Sequence, residues 1–282
     1  MIVITGATGQ LGRLVIASLL KNVPAANIIA AVRNVEKAKD IAAMGVQVRY
    51  ADYSLPETWD EALKGADKVL LISSSEVGQR AKQHRTVIDA AIRAGVKFLA
   101  YTSVLHADTS PLGLAVEHKE TEATIRASGI PFALLRNGWY TENYTAGVPS
   151  ALEHGAVYGC AGDGRISSAS RADYAEAAAA VLTADSQAGR VYELAGDTAY
   201  TLTELAAEIS HQSGKNIGYV NLPEAEYKKI LIQAGLPEAI AGLLADSDTG
   251  ASKGGLFDDS RQLSKLIGRP TTSLATAIAE VM

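Results

Sequence analysis

The sequence predicts an α/β fold, a doubly wound parallel sheet of the Rossmann type with a smaller C-terminal lobe. Short apolar strands alternate with helical segments through the first half of the chain, and this alternation is typical of βαβ units. The strands are apolar on both faces, as a sheet covered by helices requires. A glycine-rich turn links the first strand directly to the first helix.

The elements can be placed in order along the chain. The predicted strands are residues 2–5, 28–32, 46–50, 68–72 and 98–102, and the predicted helices between them are residues 11–22, 36–44, 58–64 and 79–94. Residues 191–195 predict one more central strand. Thr201 and Glu204 form a capping box that opens a further helix. Residues 247–259 are polar and rich in glycine, and they show no helical period.

This pattern predicts two domains. Residues 1–136, with residues 175–210 returning to them, are expected to form a dinucleotide-binding core. Residues 137–174 and 211–282 are expected to form a smaller lobe that binds the substrate. No clean linker, internal repeat or low-complexity segment interrupts the chain.

Composition and charge exclude several classes of protein. The 282 residues carry a net charge of −5, so no global basic field is present to attract a nucleic acid. The single cysteine excludes an internal disulfide, and the histidine and cysteine spacings contain no metal-binding motif. No apolar run is long enough to span a membrane, and the first residues do not resemble a signal peptide. The expected location is the cytoplasm, with no metal, nucleic acid or membrane as a partner.

The strongest motif is the G-x-x-G-x-x-G turn of residues 6–12. Glycines let the backbone approach a pyrophosphate closely, and the N-terminus of the following helix offers amide donors and a positive dipole end. The alternative is a structural turn without a ligand. The residues expected to hold the pyrophosphate are Gly6, Ala7, Thr8, Gly9, Gln10 and Leu11.

The end of the second strand indicates which dinucleotide binds. A site selective for NAD places an acid here to hold the ribose 2′-hydroxyl, whereas this chain has Arg33, with Lys37 one helical turn further on. A guanidinium can grip a 2′-phosphate with two hydrogen bonds. The sequence therefore favours NADPH, unless Arg33 is simply solvated.

The ends of the third and fourth strands offer further cofactor contacts. Asp52 is expected either to accept from the adenine or to form a turn. Ser73, Ser74 and Ser75 end the fourth strand, where small hydroxyl residues fit against the cofactor ribose or form a plain turn.

These motifs, with residues 72–80, 135–140 and 252–257, resemble the NmrA-like branch of the atypical short-chain dehydrogenases. The resemblance implies NADPH as cofactor and quinones as substrates. Other relatives in this branch reduce triphenylmethane dyes, or bind NADP without known catalysis and act as redox sensors. It also implies that a six-residue segment wraps the nicotinamide end of the cofactor, namely Asn137, Gly138, Trp139, Tyr140, Thr141 and Glu142. The alternative for the two aromatic residues is core packing.

The chain lacks the Tyr-x-x-x-Lys pair of most short-chain dehydrogenases, since none of its eleven tyrosines has a lysine four residues later. By its spacing from residues 128–131, His118 occupies the lysine position and Leu114 the tyrosine position. His118, with a pKa expected near neutral, would donate a proton or orient the ribose. Its alternative is a packed helix residue paired with Glu122.

The function predicted from the sequence is hydride transfer from NADPH to a small quinone, with His118, Asn137 and Tyr140 as catalytic residues. The alternatives are a non-catalytic NADP(H) sensor and a reductase of triphenylmethane-type dyes. The sequence also leaves open a homodimer and, if the chain is a sensor, a protein partner.

Overall fold

A computed structural model describes residues 1–282. The strands are β1 (Ile2–Ile4), β2 (Ile28–Val32), β3 (Gln47–Tyr50), β4 (Lys68–Leu71), β5 (Phe98–Val104), β6 (Phe132–Asn137), β7 (Ala156–Gly159), β8 (Arg190–Leu194) and β9 (Gly218–Asn221). The helices are α1 (Gln10–Leu19), α2 (Lys39–Ala43), α3 (Thr58–Ala62), α4 (Arg80–Arg93), α5 (Ala115–Ala127), α6 (Glu142–Thr145), α7 (Val148–His154), α8 (Arg171–Thr183), α9 (Leu202–Ser213), α10 (Glu224–Gln233), α11 (Glu238–Ser252), α12 (Gln262–Ile267) and α13 (Leu274–Ala279).

Seven strands form one sheet in the order β3-β2-β1-β4-β5-β6-β8. All neighbouring pairs from β3 to β6 are parallel. This confirms the predicted doubly wound α/β sheet. The prediction that residues 191–195 form a central strand is wrong, because β8 is the edge strand beyond β6. Its first two residues are exposed, as an edge position allows.

The chain divides into two compact units. Unit 1 comprises residues 1–104, 116–137 and 171–192, and unit 2 comprises residues 105–115, 138–170 and 193–282. The domain boundaries predicted from the sequence stay a prediction, and they differ from these units chiefly at residues 105–115 and 193–210. None of the helices combines the length and the apolar composition that crossing a membrane requires.

Unit 1 is built around the sheet. Side chains from one face of the strands, among them Val3, Val69 and Leu99, pack with Trp59 and Val87 from the helices to form a buried core. On α8 half of the buried residues are alanines, and this helix packs against α1. Small side chains allow the two backbones to come close, so α8 covers α1 tightly despite its weak amphipathic pattern.

Unit 2 contains the two-stranded parallel sheet of β7 and β9. The predicted capping box is confirmed at the start of α9, where the Thr201 hydroxyl accepts from the Glu204 amide and the Glu204 carboxylate accepts from the Thr201 amide. Residues 247–259 show no helical period in the sequence, yet the first of them are helical, because α11 continues to Ser252. The buried face of α11 consists of small and polar residues, including Ala245, Asp248 and Ala251, so no apolar stripe marks it.

Asp248 is the buried acid of unit 2. Its Oδ1 accepts from the Tyr144 hydroxyl at 2.9 Å, and its Oδ2 accepts from the Cys160 amide at 3.1 Å. Only 3% of the residue is exposed. Burial raises the pKa of Asp248 to about 6, against the opposing effect of these hydrogen bonds. An ionised Asp248 therefore costs unit 2 stability at neutral pH.

We expect Asp248 to make the protein less stable as the pH rises from 4 to 7. The pKa of Asp248 in the folded protein is raised, so its contribution is fully present below the unfolded pKa and is lost as the pH rises through about 6. In urea denaturation across this range, wild type should lose about 2–3 kcal/mol more unfolding free energy than Asp248→Asn. Asp163→Asn, which changes an exposed acid, is the control. Parallel profiles for wild type and Asp248→Asn would contradict the expectation.

Candidate functional site

The glycine-rich turn leads from β1 directly into α1. Gly6 has a φ of +57°, in the left-handed region that favours glycine. The Gly9 amide donates to the Gly6 carbonyl at 2.9 Å and closes the turn. Gly9 then precedes α1 without a side-chain cap, and no acidic residue lies in the first helical turn. Because the first amides of a helix have no partner within it, this end suits an anion.

The close approach between α1 and the preceding loop requires a glycine at position 12. A Cβ atom at this position would lie 2.5 Å from the Gly6 carbonyl oxygen and 2.8 Å from the Ala7 Cα. The first turn of α1 therefore rests on the backbone of the preceding loop. Arg13 fixes the loop from the same helix, since its Nε donates to the Thr8 carbonyl at 3.1 Å. The motif thus forms a glycine turn directly between β1 and α1, as the sequence predicts, and its contacts with a pyrophosphate stay a prediction.

Arg33 follows β2, and its Nη1 lies 3.2 Å from Oε1 of Glu76. The Arg33 side chain is largely exposed, and the Glu76 side chain is half-exposed. Lys37 lies in a short 3₁₀ helix, where its carbonyl accepts from Arg13 Nη2 at 2.7 Å. Asp52 forms a turn, because its Oδ1 accepts from the amide two residues on, at 2.8 Å. The structure therefore gives Arg33 an acidic neighbour that sequence reasoning missed.

The three serines after β4 form the start of the loop of residues 72–79. The Ser73 amide donates to the Thr102 hydroxyl of β5 at 2.9 Å. The amide, the carbonyl and the hydroxyl of Ser74 all bond to side chains of α4. Its amide donates to Nε2 of His84 at 2.9 Å, its carbonyl accepts from Nε of Arg80 at 2.5 Å, and its hydroxyl bonds to Gln83.

His84 is a neutral acceptor in this arrangement. Burial, followed by the nearby charge of Arg80, lowers the pKa of His84 to about 3. Its Nε2 accepts from the Ser74 amide, so Nδ1 carries the proton and donates to the Thr121 hydroxyl, 2.9 Å away. That hydroxyl in turn donates to the Glu117 carbonyl. A chain of hydrogen bonds from α5 thus fixes the backbone of the loop.

Sequence reasoning missed the polar groups beneath this loop. Arg80, Gln83 and His84 are all buried, and their spacing places them on one face of α4. A polar stripe where a core-facing helix should be apolar is the signal that could have found them. Glu117 of α5 is the fourth polar residue that holds this loop, since its carboxylate accepts from the Gly78 and Arg80 amides at 3.0 and 3.1 Å.

His118 is buried on α5, with Nδ1 2.7 Å from the Tyr101 hydroxyl. Burial, followed by the charge of Arg80, lowers the pKa of His118 to about 3. The near-neutral pKa expected from the sequence is therefore wrong. The pairing with Glu122, given as the alternative, is also wrong, because that carboxylate bonds to Ser103, Arg126 and Arg136. At neutral pH His118 is an uncharged imidazole, which suits an orienting role better than proton donation.

Glu122 joins the carboxyl ends of β5 and β6. It accepts two hydrogen bonds from Arg136, at 2.9 and 2.7 Å, and further bonds from Ser103 and Arg126. Burial alone would raise the pKa of Glu122, but these donors outweigh burial and lower the pKa below its usual value. The pair is therefore charged, and it fixes the backbone of β6 next to Asn137.

Asn137 is the last residue of β6 and of the second segment of unit 1. It is 5% exposed, and its Oδ1 is buried without a hydrogen-bond partner. A buried acceptor left without a donor costs about 1–3 kcal/mol. Such an atom is suited to receive a donor from a ligand, and an amide group is a donor of the right kind.

The rest of the predicted nicotinamide segment lies in unit 2. The Gly138 amide donates to the Leu194 carbonyl at 2.7 Å. Trp139 is buried in the apolar core of unit 2, and Tyr140 is half-buried beside Ala169. The Thr141 hydroxyl lies 2.8 Å from that of Ser168, and Glu142 begins α6. The cofactor contacts proposed for these residues stay predictions.

Comparisons with known proteins identify the family. A model of the NmrA-like family matches residues 1–277. The chain belongs to the NmrA-like family. This NmrA-like protein is 63% identical to quinone oxidoreductase 2 of Escherichia coli (strain K12) over 281 residues, covering 100% of this chain and 98% of the relative.

Two solved structures show the same fold. The NADPH complex of the E. coli NADPH-dependent quinone oxidoreductase QOR2 superposes with a TM-score of 0.98 at 63% identity, covering 100% of this chain and 99% of that one. The NADP(H) complex of the Citrobacter sp. triphenylmethane reductase superposes with a TM-score of 0.97 at 41% identity, covering 100% of both chains. The NmrA-like protein described here thus shares its whole length with proteins solved in complex with this cofactor.

We expect the His118 imidazole to remain uncharged between pH 5 and 8, because burial and Arg80 lower its pKa to about 3. Histidine side-chain resonances followed by NMR across this range should show no titration for His118. Its signal is assigned by comparison with His118→Gln. A midpoint between pH 6 and 7 for the signal that this variant lacks would contradict the expectation.

Proposed function

We propose that this protein is an NADPH-dependent quinone oxidoreductase that transfers hydride to a small quinone. The observation that carries the proposal is the full-length similarity, at 63% identity, to the E. coli quinone oxidoreductase 2. Two groups of residues in this chain support it, one suited to the phosphates of the cofactor and one suited to its nicotinamide end.

The first region suits the phosphates. The turn of residues 6–12 leads directly into α1, whose first amides have no partner within the helix and no acidic residue in the first helical turn. Arg33 stands at the end of β2, where the 2′-phosphate is recognised. The hydroxyls of Ser73–Ser75 follow β4, the next strand of the sheet on the other side of β1. We assign these residues to the pyrophosphate, the 2′-phosphate and the ribose.

The second region suits the nicotinamide. The unpartnered Oδ1 of Asn137 would accept from the carboxamide NH₂ of the ring. Gly138, Trp139, Tyr140, Thr141 and Glu142 continue this segment, and we assign them to the same end of the cofactor. Among them Tyr140 is the residue proposed to face the substrate, since this residue is only half-buried.

When bound, NADPH supplies the hydride, that is, one proton together with two electrons. The chain holds the cofactor and positions the quinone, which is an intrinsically good hydride acceptor. The reduced quinone is a delocalised phenolate, and its proton comes from water. His118 does not supply it, because the imidazole is uncharged at neutral pH. Burial likewise raises the pKa of Tyr101 far above its usual value. We assign His118 to orienting the cofactor ribose.

The proposal is tested by following the absorbance of NADPH with and without 1,4-benzoquinone, and repeating the assay with NADH. We expect fast oxidation that needs the quinone and prefers NADPH. Assays with a triphenylmethane dye in place of the quinone show whether a bulky cation is the better substrate. Tight NADPH binding without turnover of any acceptor would contradict the enzyme proposal and favour a redox sensor.

The assignment of Arg33 is tested by Arg33→Ala. Loss of a charge-assisted contact to the 2′-phosphate should weaken NADPH binding about 10–100-fold, while NADH, which lacks that phosphate, should bind nearly as before. Isothermal titration calorimetry with each cofactor measures this. Arg85→Ala is the matched control, since Arg85 is an exposed arginine that bonds to Thr124. An equal loss of affinity for NADPH and NADH would remove Arg33 from the 2′-phosphate site.

A further inference from the structure

Glu76 places a negative charge beside the residue assigned to the 2′-phosphate of the cofactor. Its Oε1 is 3.2 Å from Nη1 of Arg33, and Arg33 is the group assigned to the 2′-phosphate. A phosphate bound by the same guanidinium must therefore share it with a carboxylate. We propose that Glu76 is a specificity-determining residue that weakens NADPH binding and so lowers the preference for NADPH over NADH. This inference rests on the assignment of Arg33 in the proposed function.

The carboxylate of Glu76 is held in place by the protein, although half of it is exposed. Its Oε2 accepts from Nε2 of Gln83 at 2.8 Å, and its amide donates to the Ser74 hydroxyl at 3.2 Å. Gln83 itself is buried and bonds to that hydroxyl. The Glu76 side chain therefore cannot turn away from an incoming phosphate without breaking its hydrogen bond to Gln83.

The two cofactors meet this carboxylate differently. A 2′-phosphate carries one to two negative charges at neutral pH, so it is repelled by Glu76 while it is attracted by Arg33. A ribose 2′-hydroxyl is a hydrogen-bond donor, and carboxylates hold that hydroxyl in sites selective for NAD. In those sites the acid follows the second strand, whereas here an acid from the β4–α4 loop reaches the same arginine. Glu76 therefore disfavours NADPH and accommodates NADH.

The effect is expected to be moderate, because charges in contact with solvent are screened. We expect Glu76→Gln to lower the dissociation constant of NADPH about 3–10-fold. The affinity for NADH should stay the same or fall slightly. The glutamine is chosen because its carbonyl can still accept from Gln83, so the loop keeps its hydrogen bond while the charge is removed.

The experiment compares wild type, Glu76→Gln, Glu61→Gln and Arg33→Ala by calorimetric titration with NADPH and with NADH. Glu61→Gln removes a carboxylate that pairs with Lys64 near α3, and it should bind both cofactors as wild type does. A rise in the ratio of the NADH to the NADPH dissociation constant in Glu76→Gln alone supports the proposal.

Three results would overturn the proposal. NADPH affinity that is unchanged or weaker in Glu76→Gln would show that Glu76 only organises Arg33. Equal tightening of both cofactors would show an effect on the loop and not on the 2′-phosphate. If Arg33→Ala weakens the binding of NADPH and NADH equally, the assignment of Arg33 fails and the proposal for Glu76 fails with it. If Arg33→Ala weakens NADPH binding alone, the assignment of Arg33 stands, and the result for Glu76→Gln decides the proposal by itself.

Discussion

The close approach at Gly12 is the constraint on which unit 1 depends. With a Cβ atom only 2.5 Å from the Gly6 carbonyl oxygen, no other residue fits without moving the helix. The first turn of α1 can therefore rest on the backbone of the loop, and the uncapped start of α1 follows the loop directly. Recognition of a phosphate then requires no charged side chain at the turn itself. The position of α1 also fixes α8, which packs against it.

The site also requires that the buried imidazole of His84 is uncharged. The Ser74 amide is paired with Nε2 of His84, and only an uncharged imidazole has a nitrogen that can accept. Burial and the charge of Arg80 provide this state by lowering the pKa of His84 to about 3. A protonated ring would leave two donors facing each other in the interior. The low pKa is thus a condition for the geometry of the loop that carries Glu76.

Sequence patterns predicted what depends on local chemistry, such as the glycine turn of residues 6–12, the strand series and the capping box at Thr201. The end of α11 was missed because its buried face is small and polar, and hydropathy cannot distinguish such a face from a loop. Arg33 and Glu76 are 43 residues apart, and only the order of strands in the sheet brings them together. The pKa of His118 likewise depends on burial and on Arg80 rather than on residue type.

The groups that can transfer a proton limit the kind of substrate that this protein can reduce. Reduction of an ordinary ketone produces an alkoxide, which needs an acid in the transition state. The sequence spacing predicts that Leu114 and His118 stand where other short-chain dehydrogenases carry tyrosine and lysine, and a leucine cannot transfer a proton. The buried Tyr101 has a pKa raised well above its usual value, and its neighbour His118 is neutral. A substrate that forms a stable anion by itself needs neither group, and a quinone is such a substrate. These residues therefore fit the proposed reaction better than the reduction of simple ketones.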